Sequence, residues 1–114
     1  MLYVEDNGTI RLTRGDSAWL SVAIDNVKSD DSIDSYDVTS DDTLTLSVKK
    51  KVKDENYLFS KTVTGSTSIY IKPDDTKGIP FGKYIYDVQL TTASGDVFTI
   101  VEPSTFEILP EVTT

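Results

Sequence analysis

The segment Gly82-Lys83-Tyr84-Ile85-Tyr86-Asp87-Val88-Gln89-Leu90 spaces Tyr84, Tyr86, Val88 and Leu90 two apart, with Lys83, Asp87 and Gln89 between them. Successive side chains of an extended chain point to opposite faces, so this spacing predicts a strand with one buried and one solvated face. Ala93-Ser94-Gly95-Asp96 then turns the chain into Val97-Phe98-Thr99-Ile100, and the pair reads as a β-hairpin.

The same period recurs along the chain. Ile10 and Leu12 alternate with Arg11 and Thr13; Ala18, Leu20, Val22 and Ile24 share one face of a strand over 17–24; Leu44, Leu46 and Val48 alternate with Thr43, Thr45 and Ser47. Further strands are predicted over 57–63, 68–72 and 104–109, the last after a break at Pro103. Pro73-Asp74-Asp75-Thr76 suits a single helical turn with an aspartate capping free amides, and Gly78, Pro80 and Gly82 forbid a longer one. Residues 25–42 are rich in Asp and Ser and read as a solvated loop, with a short edge strand at Tyr36-Asp37-Val38. Short strands between Gly, Asp, Ser and Pro turns, with no helical period, predict an all-β antiparallel sandwich of seven to nine short strands. A small closed barrel is the alternative. At 114 residues the chain is expected to form a single domain, with an ordered core over about 8–109.

Composition narrows the chemistry. The chain has no cysteine and no histidine, which removes disulfides, thiolate nucleophiles, the commonest general base and the commonest metal ligands. Nineteen acidic against eleven basic residues give a net charge of -8, which argues against nucleic acid and against anionic membrane surfaces. No apolar run approaches the roughly 20 residues that span a bilayer, and the first residues lack the pattern of a signal peptide. Synthesis in the cytoplasm is the corresponding expectation. No catalytic residue, metal ligand or cofactor is assigned, and the chain is expected not to be an enzyme.

Five features invite a functional reading. Arg14-Gly15-Asp16 reads as a structural turn, since Gly15 can take positive φ and Asp16 can accept from nearby amides. Asp25, Asp30, Asp31, Asp34, Asp37, Asp41 and Asp42 do not match the spacing of a calcium loop and read as solvated. Lys49, Lys50, Lys51 and Lys53 form the one basic run, explained by a solvated strand end that discourages edge pairing. Tyr84 and Tyr86 read as core, with their hydroxyls reaching the rim. Trp19 lies between Ser17 and Ser21, opposite the apolar face of its strand, and is read either as an interface residue or as part of a second core layer.

Three segments carry a resemblance to a known family. Ile10-Arg11-Leu12-Thr13-Arg14-Gly15-Asp16-Ser17-Ala18, Asp42-Thr43-Leu44-Thr45-Leu46-Ser47-Val48-Lys49-Lys50, and Pro73-Asp74-Asp75-Thr76 through Gly82–Leu90 are the first three signatures; Thr99-Ile100, Phe106-Glu107-Ile108 and Glu111-Val112-Thr113 close the match. They resemble small immunoglobulin-like structural proteins of phages and prophages of Gram-positive bacteria, similar to the N-terminal domain of phage baseplate upper proteins. The resemblance covers about 8–113. It implies an immunoglobulin-like sandwich and a non-enzymatic virion role in the baseplate, tail or another component. The expected partners are other virion proteins and copies of itself, and the expected destination is the phage particle. Unlike a baseplate upper protein, this sequence does not continue well past the domain. Trp19, Tyr36, Pro110 and Val112 are the candidate interface residues. The alternative function is a carbohydrate-binding sandwich module, which requires at least two aromatic side chains exposed on one face.

Overall fold

In a computed structural model, which describes residues 2–5, 7–22 and 40–111, the alternating segments form two facing sheets. The elements are β1 (Leu2–Val4), β2 (Ile10–Thr13), β3 (Ala18–Ser21), β4 (Thr43–Lys49), β5 (Phe59–Thr64), β6 (Ser68–Ile71), α1 (Pro73–Lys77), β7 (Gly82–Thr91) and β8 (Val97–Leu109). The larger sheet has the order β1-β2-β8-β7-β4-β5, and β3 pairs with β6 in the smaller one. The described residues therefore form an all-β sandwich with one short helix.

Alternation decides which side chains meet between the sheets. Leu44, Leu46, Val48, Val88, Leu90, Ile10, Leu12, Phe106 and Ile108 from the larger sheet are fully or almost fully buried, and they join Ala18, Leu20, Ile69 and Ile71 from the smaller one in a single core. Burying one such aliphatic side chain stabilises the fold by about 1.5–3 kcal/mol. Tyr84 and Tyr86 are in that core as their spacing predicts, and both hydroxyls reach backbone at its edge. Tyr84 donates to the carbonyl of Pro80, four residues upstream, at the corner between α1 and β7. The contact has the geometry of a tyrosine corner, a Tyr near the start of a strand bonding to backbone a few residues upstream.

The hairpin strands are longer than expected, and Pro103 does not break the second of them. β8 runs unbroken from Val97 to Leu109. Tyr86 pairs with Ser104 and Val88 with Val101, so Asp87 faces two residues, Glu102 and Pro103. A bulge leaves one residue without a ladder bond, which is where proline's missing N–H does no harm. The segment carrying Phe106 and Ile108 stays beside β7 and takes β2 on its free edge, Ile10 opposite Phe106 and Leu12 opposite Ile108. That pairing is parallel, whereas every other pairing among the described residues is antiparallel. A parallel pair needs a long connection, and nearly the whole chain lies between β2 and the end of β8.

Other boundaries shift for local reasons. The return strand starts at Phe59 rather than Tyr57, because Lys51-Val52-Lys53-Asp54 forms a turn in which Asp54 accepts from the amide of Lys51. β1 was not anticipated, since three residues are too few to show a period. Asp42, expected in a solvated loop, is buried: it accepts from the amide of Ala93 at 3.2 Å, and its carbonyl accepts from Gly65. The predicted edge strand at Tyr36-Asp37-Val38, the aspartates from Asp25 to Asp37, and Val112 lie outside the described residues.

The Arg14-Gly15-Asp16 segment is the turn its residue types require. Gly15 has φ +83, Asp16 donates its amide to the carbonyl of Thr13, and Gly15 donates to Thr76 Oγ1 at 2.8 Å. The Arg14 guanidinium is held at 3.2 Å from Glu111 and lies 4.1 Å over the ring of Phe81. In α1 the capping aspartate is Asp75, which accepts from the amide of Lys72 at 2.8 Å and pairs with Lys61 at 3.1 Å. Lys61 points inward from β5, a strand with no neighbour on its far side among the described residues, and an inward charge on such a strand opposes edge-to-edge pairing.

Candidate functional site

The outer face of the larger sheet carries a groove over β4 and β7, beside the loop that follows β4. β4 supplies Ser47 and Lys49, and β7 supplies Ile85, Asp87 and Gln89, the outward positions of two strands whose inward positions build the core. The loop after β4 folds Val52 and Tyr57 over one side, and Pro103, placed by the bulge opposite Asp87, forms part of the wall. The recess measures about 170 Å³. Lys49 Nζ lies 5.0 Å from the centre of the Tyr57 ring, within cation–π range.

Asp87 is the one carboxylate whose titration the groove clearly perturbs. Burial raises its carboxyl above the ordinary 3.8, and the ammonium of Lys49 opposes part of that rise. Beside the groove Val52, Tyr57 and Leu58 are exposed, and Tyr57 and Leu58 share a second, shallow recess with Lys50, Lys53, Asp54, Glu55 and Asn56. Val52 and Tyr57 line the groove and Leu58 follows Tyr57, so three exposed apolar side chains stand on the loop that borders it. The basic run was visible in the sequence, but this apolar rim was not. Its signal was Val52 and Leu58, two apolar residues in a loop whose strands already had their core positions filled.

A second feature lies on the outer face of the smaller sheet. Trp19 is 65% exposed and pairs across the strands with Tyr70, their ring centroids 4.7 Å apart and their planes 27° apart. Trp19 is therefore outside the core, and the reading of it as a second core layer is corrected: the alternation that buries Ala18 and Leu20 turns it outward. Tyr70 takes the same outer face from its position between Ile69 and Ile71, a signal that the alternation of β6 carries in the sequence.

Pro110 is exposed, just beyond the end of β8, and the adjoining Glu111 is tied to Arg14. Trp19 and Pro110 are thus both at the surface, while Tyr36 and Val112 lie outside the described residues. Among the described residues no three acidic, histidine or cysteine side chains gather as a metal would require, and no helix is long and apolar enough to cross a membrane. No protein-family model matches the chain, and neither curated proteins nor solved structures give a match.

Proposed function

We propose that this chain is a non-enzymatic docking module of a phage or prophage virion, in the baseplate, tail or another component. It is made in the cytoplasm and acts in the particle through contacts with other virion proteins or with further copies of itself. The observation that carries the docking part is the groove with its exposed rim. A recess of about 170 Å³ is below the roughly 300–1,000 Å³ of small-molecule pockets, and suits one inserted side chain of a protein partner. Val52 and Tyr57 then supply apolar contact at the edge of the recess, with Leu58 exposed beside Tyr57 and Lys50, Lys53, Asp54 and Glu55 around them. The virion setting rests on the sequence resemblance, and the tyrosine corner at Tyr84 is in keeping with the immunoglobulin-like fold it implies.

The test is to purify particles induced from the strain that carries the gene and to look for this chain by mass spectrometry. It should be present in the particles. A Tyr57→Ala/Leu58→Asp variant should fold, by circular dichroism, yet be lost from them. Absence of the wild-type chain from purified particles would refute the virion assignment, and full incorporation of the folded variant would remove the groove from it.

A further inference from the structure

The face of the sandwich opposite the groove has a chemistry of its own. Its outward positions are Ser17, Trp19 and Ser21 on and before β3, and Ser68 and Tyr70 on β6. The two rings lie face to face, Trp19 exposed and Tyr70 half-buried, flanked by three serine hydroxyls, and none of the five side chains is charged. Tyr70 donates to Ser17 Oγ at 3.3 Å, and Ser21 Oγ lies 3.5 Å from Ser68 Oγ. The stack on Tyr70 holds the indole in one orientation before any ligand arrives, which lowers the ordering a ligand must impose. Lys72, the next outward position after Tyr70, bounds the patch.

We infer that this face is a binding site for a neutral oligosaccharide, with the Trp19 indole as the platform for a sugar ring and the adjoining serine hydroxyls as its hydrogen-bonding partners. The site is separate from the groove and goes beyond the docking role. A sugar ring has an apolar C–H face and a rim of hydroxyls, and this face offers an exposed aromatic ring beside serine donors and acceptors on the same side of the sheet. Charge selects within the glycans: a protein of net charge -8 repels an anionic polymer, and the patch holds no cation within it. The same charge disfavours nucleic-acid bases, whose stacking sites need a basic groove. Against a protein partner, the face has among the described residues no apolar side chain beyond the Trp19–Tyr70 pair, its other outward positions being serines.

Trp19 is the one tryptophan of the chain, so its emission reports this site directly. The probes are cellohexaose, maltohexaose, mannohexaose and chitohexaose, with a galacturonate hexamer as the anionic control, each titrated to millimolar concentration. At least one neutral hexasaccharide should shift the Trp19 emission saturably, and the control should not. Calorimetry on Trp19→Ala should then show at least about a tenfold loss of affinity, equivalent to about 1.4 kcal/mol. Trp19→Phe, which keeps a ring, should retain part of the binding. Both variants change a surface side chain and are checked for folding by circular dichroism. No shift with any neutral hexasaccharide overturns the proposal, as does equal binding of the anionic control. Loss of Trp19→Ala from particles with no sugar bound overturns it too, and makes the face a protein interface. Variants at Tyr57 and Leu58 leave this titration unchanged, so a failure here is distinct from a failure of the docking role.

Discussion

The hydroxyl of Tyr86 donates to the backbone carbonyl of Gly8, 78 residues earlier in the chain. It joins the middle of β7 to the turn between β1 and β2, while its ring packs edge-on against Phe106 in the core. One side chain therefore fastens the N-terminal hairpin to the centre of the larger sheet.

Tyr86→Phe keeps the ring and removes the donor. Chemical denaturation should show a loss of about 1 kcal/mol, the usual net worth of such a bond. Burial also raises the Tyr86 hydroxyl above its ordinary value near 10.0. A raised folded-state value means that the unfolded chain deprotonates first. The stability tied to Tyr86 is thus complete below about pH 10 and is lost as pH rises through the folded-state value. Alkaline unfolding curves should accordingly be shallower in Tyr86→Phe than in the wild type. Identical alkaline slopes would show that Tyr86 does not drive the loss.

Asp87 has the same sign at the other end of the scale. Its carboxyl is raised above 3.8 by burial, so its protonated form favours the fold and that contribution is lost as pH rises through the folded-state value. Asp87→Asn should raise the thermal midpoint at neutral pH and give no gain below about pH 3.8, where the wild-type carboxyl is already protonated in both states. A gain of equal size at both pH values would point to a cause other than titration.

The two faces of β4 should respond in opposite ways to the same change. Leu46 is fully buried, and Leu46→Asp puts an unpaired carboxylate in the core at a cost of several kcal/mol, comparable to the whole stability of a small domain. Thr45 faces outward, its hydroxyl 3.4 Å from that of Thr62, and Thr45→Asp should leave a cooperative unfolding transition in place. Far-UV circular dichroism with thermal melts separates the two; equal damage from both would place β4 in a layer buried on both faces.

Gly15→Ala should weaken the turn that anchors the C-terminal end of β8. At φ +83 an added Cβ is strained by about 1–2 kcal/mol, and it would also stand 3.0 Å from Glu111 Oε2, the partner residue of Arg14. Urea denaturation should register a loss of that size, with Gly15→Asn closer to wild type because asparagine tolerates the left-handed region. An alanine variant as stable as the wild type would show that the turn relaxes without strain.

How much of this was legible follows from how far apart the interacting residues lie. Alternation at 43–48 and 84–90 depends only on neighbours two positions apart, and it located β4, β7, the inward faces and the burial of Tyr84 and Tyr86. Turn chemistry at Gly15, and the proline and aspartates opening α1, is equally local and was also legible. Asp42 looked solvated because its acidic neighbours said so; its burial comes from the amide of Ala93, 51 residues away. Pro103 looked like a break because a ladder forbids proline, and only the register against Tyr86 and Val88 makes room for it in a bulge.

The candidate sites divide in the same way. That Trp19 points away from the core was decided by its own strand, through the alternation with Ala18 and Leu20. That it stacks on Tyr70 was decided by the register of β3 against β6, a pairing between segments about fifty residues apart that no local pattern specifies. The groove is wholly tertiary: Lys49, Tyr57, Asp87 and Pro103 come from two strands, a loop and a bulge. The sequence by itself determined which residues leave water, because that depends on side-chain type and a period of two. Which of the remaining surface residues stand together was decided only by strand order and register, because long-range pairing is selected by the whole core and not by any one segment.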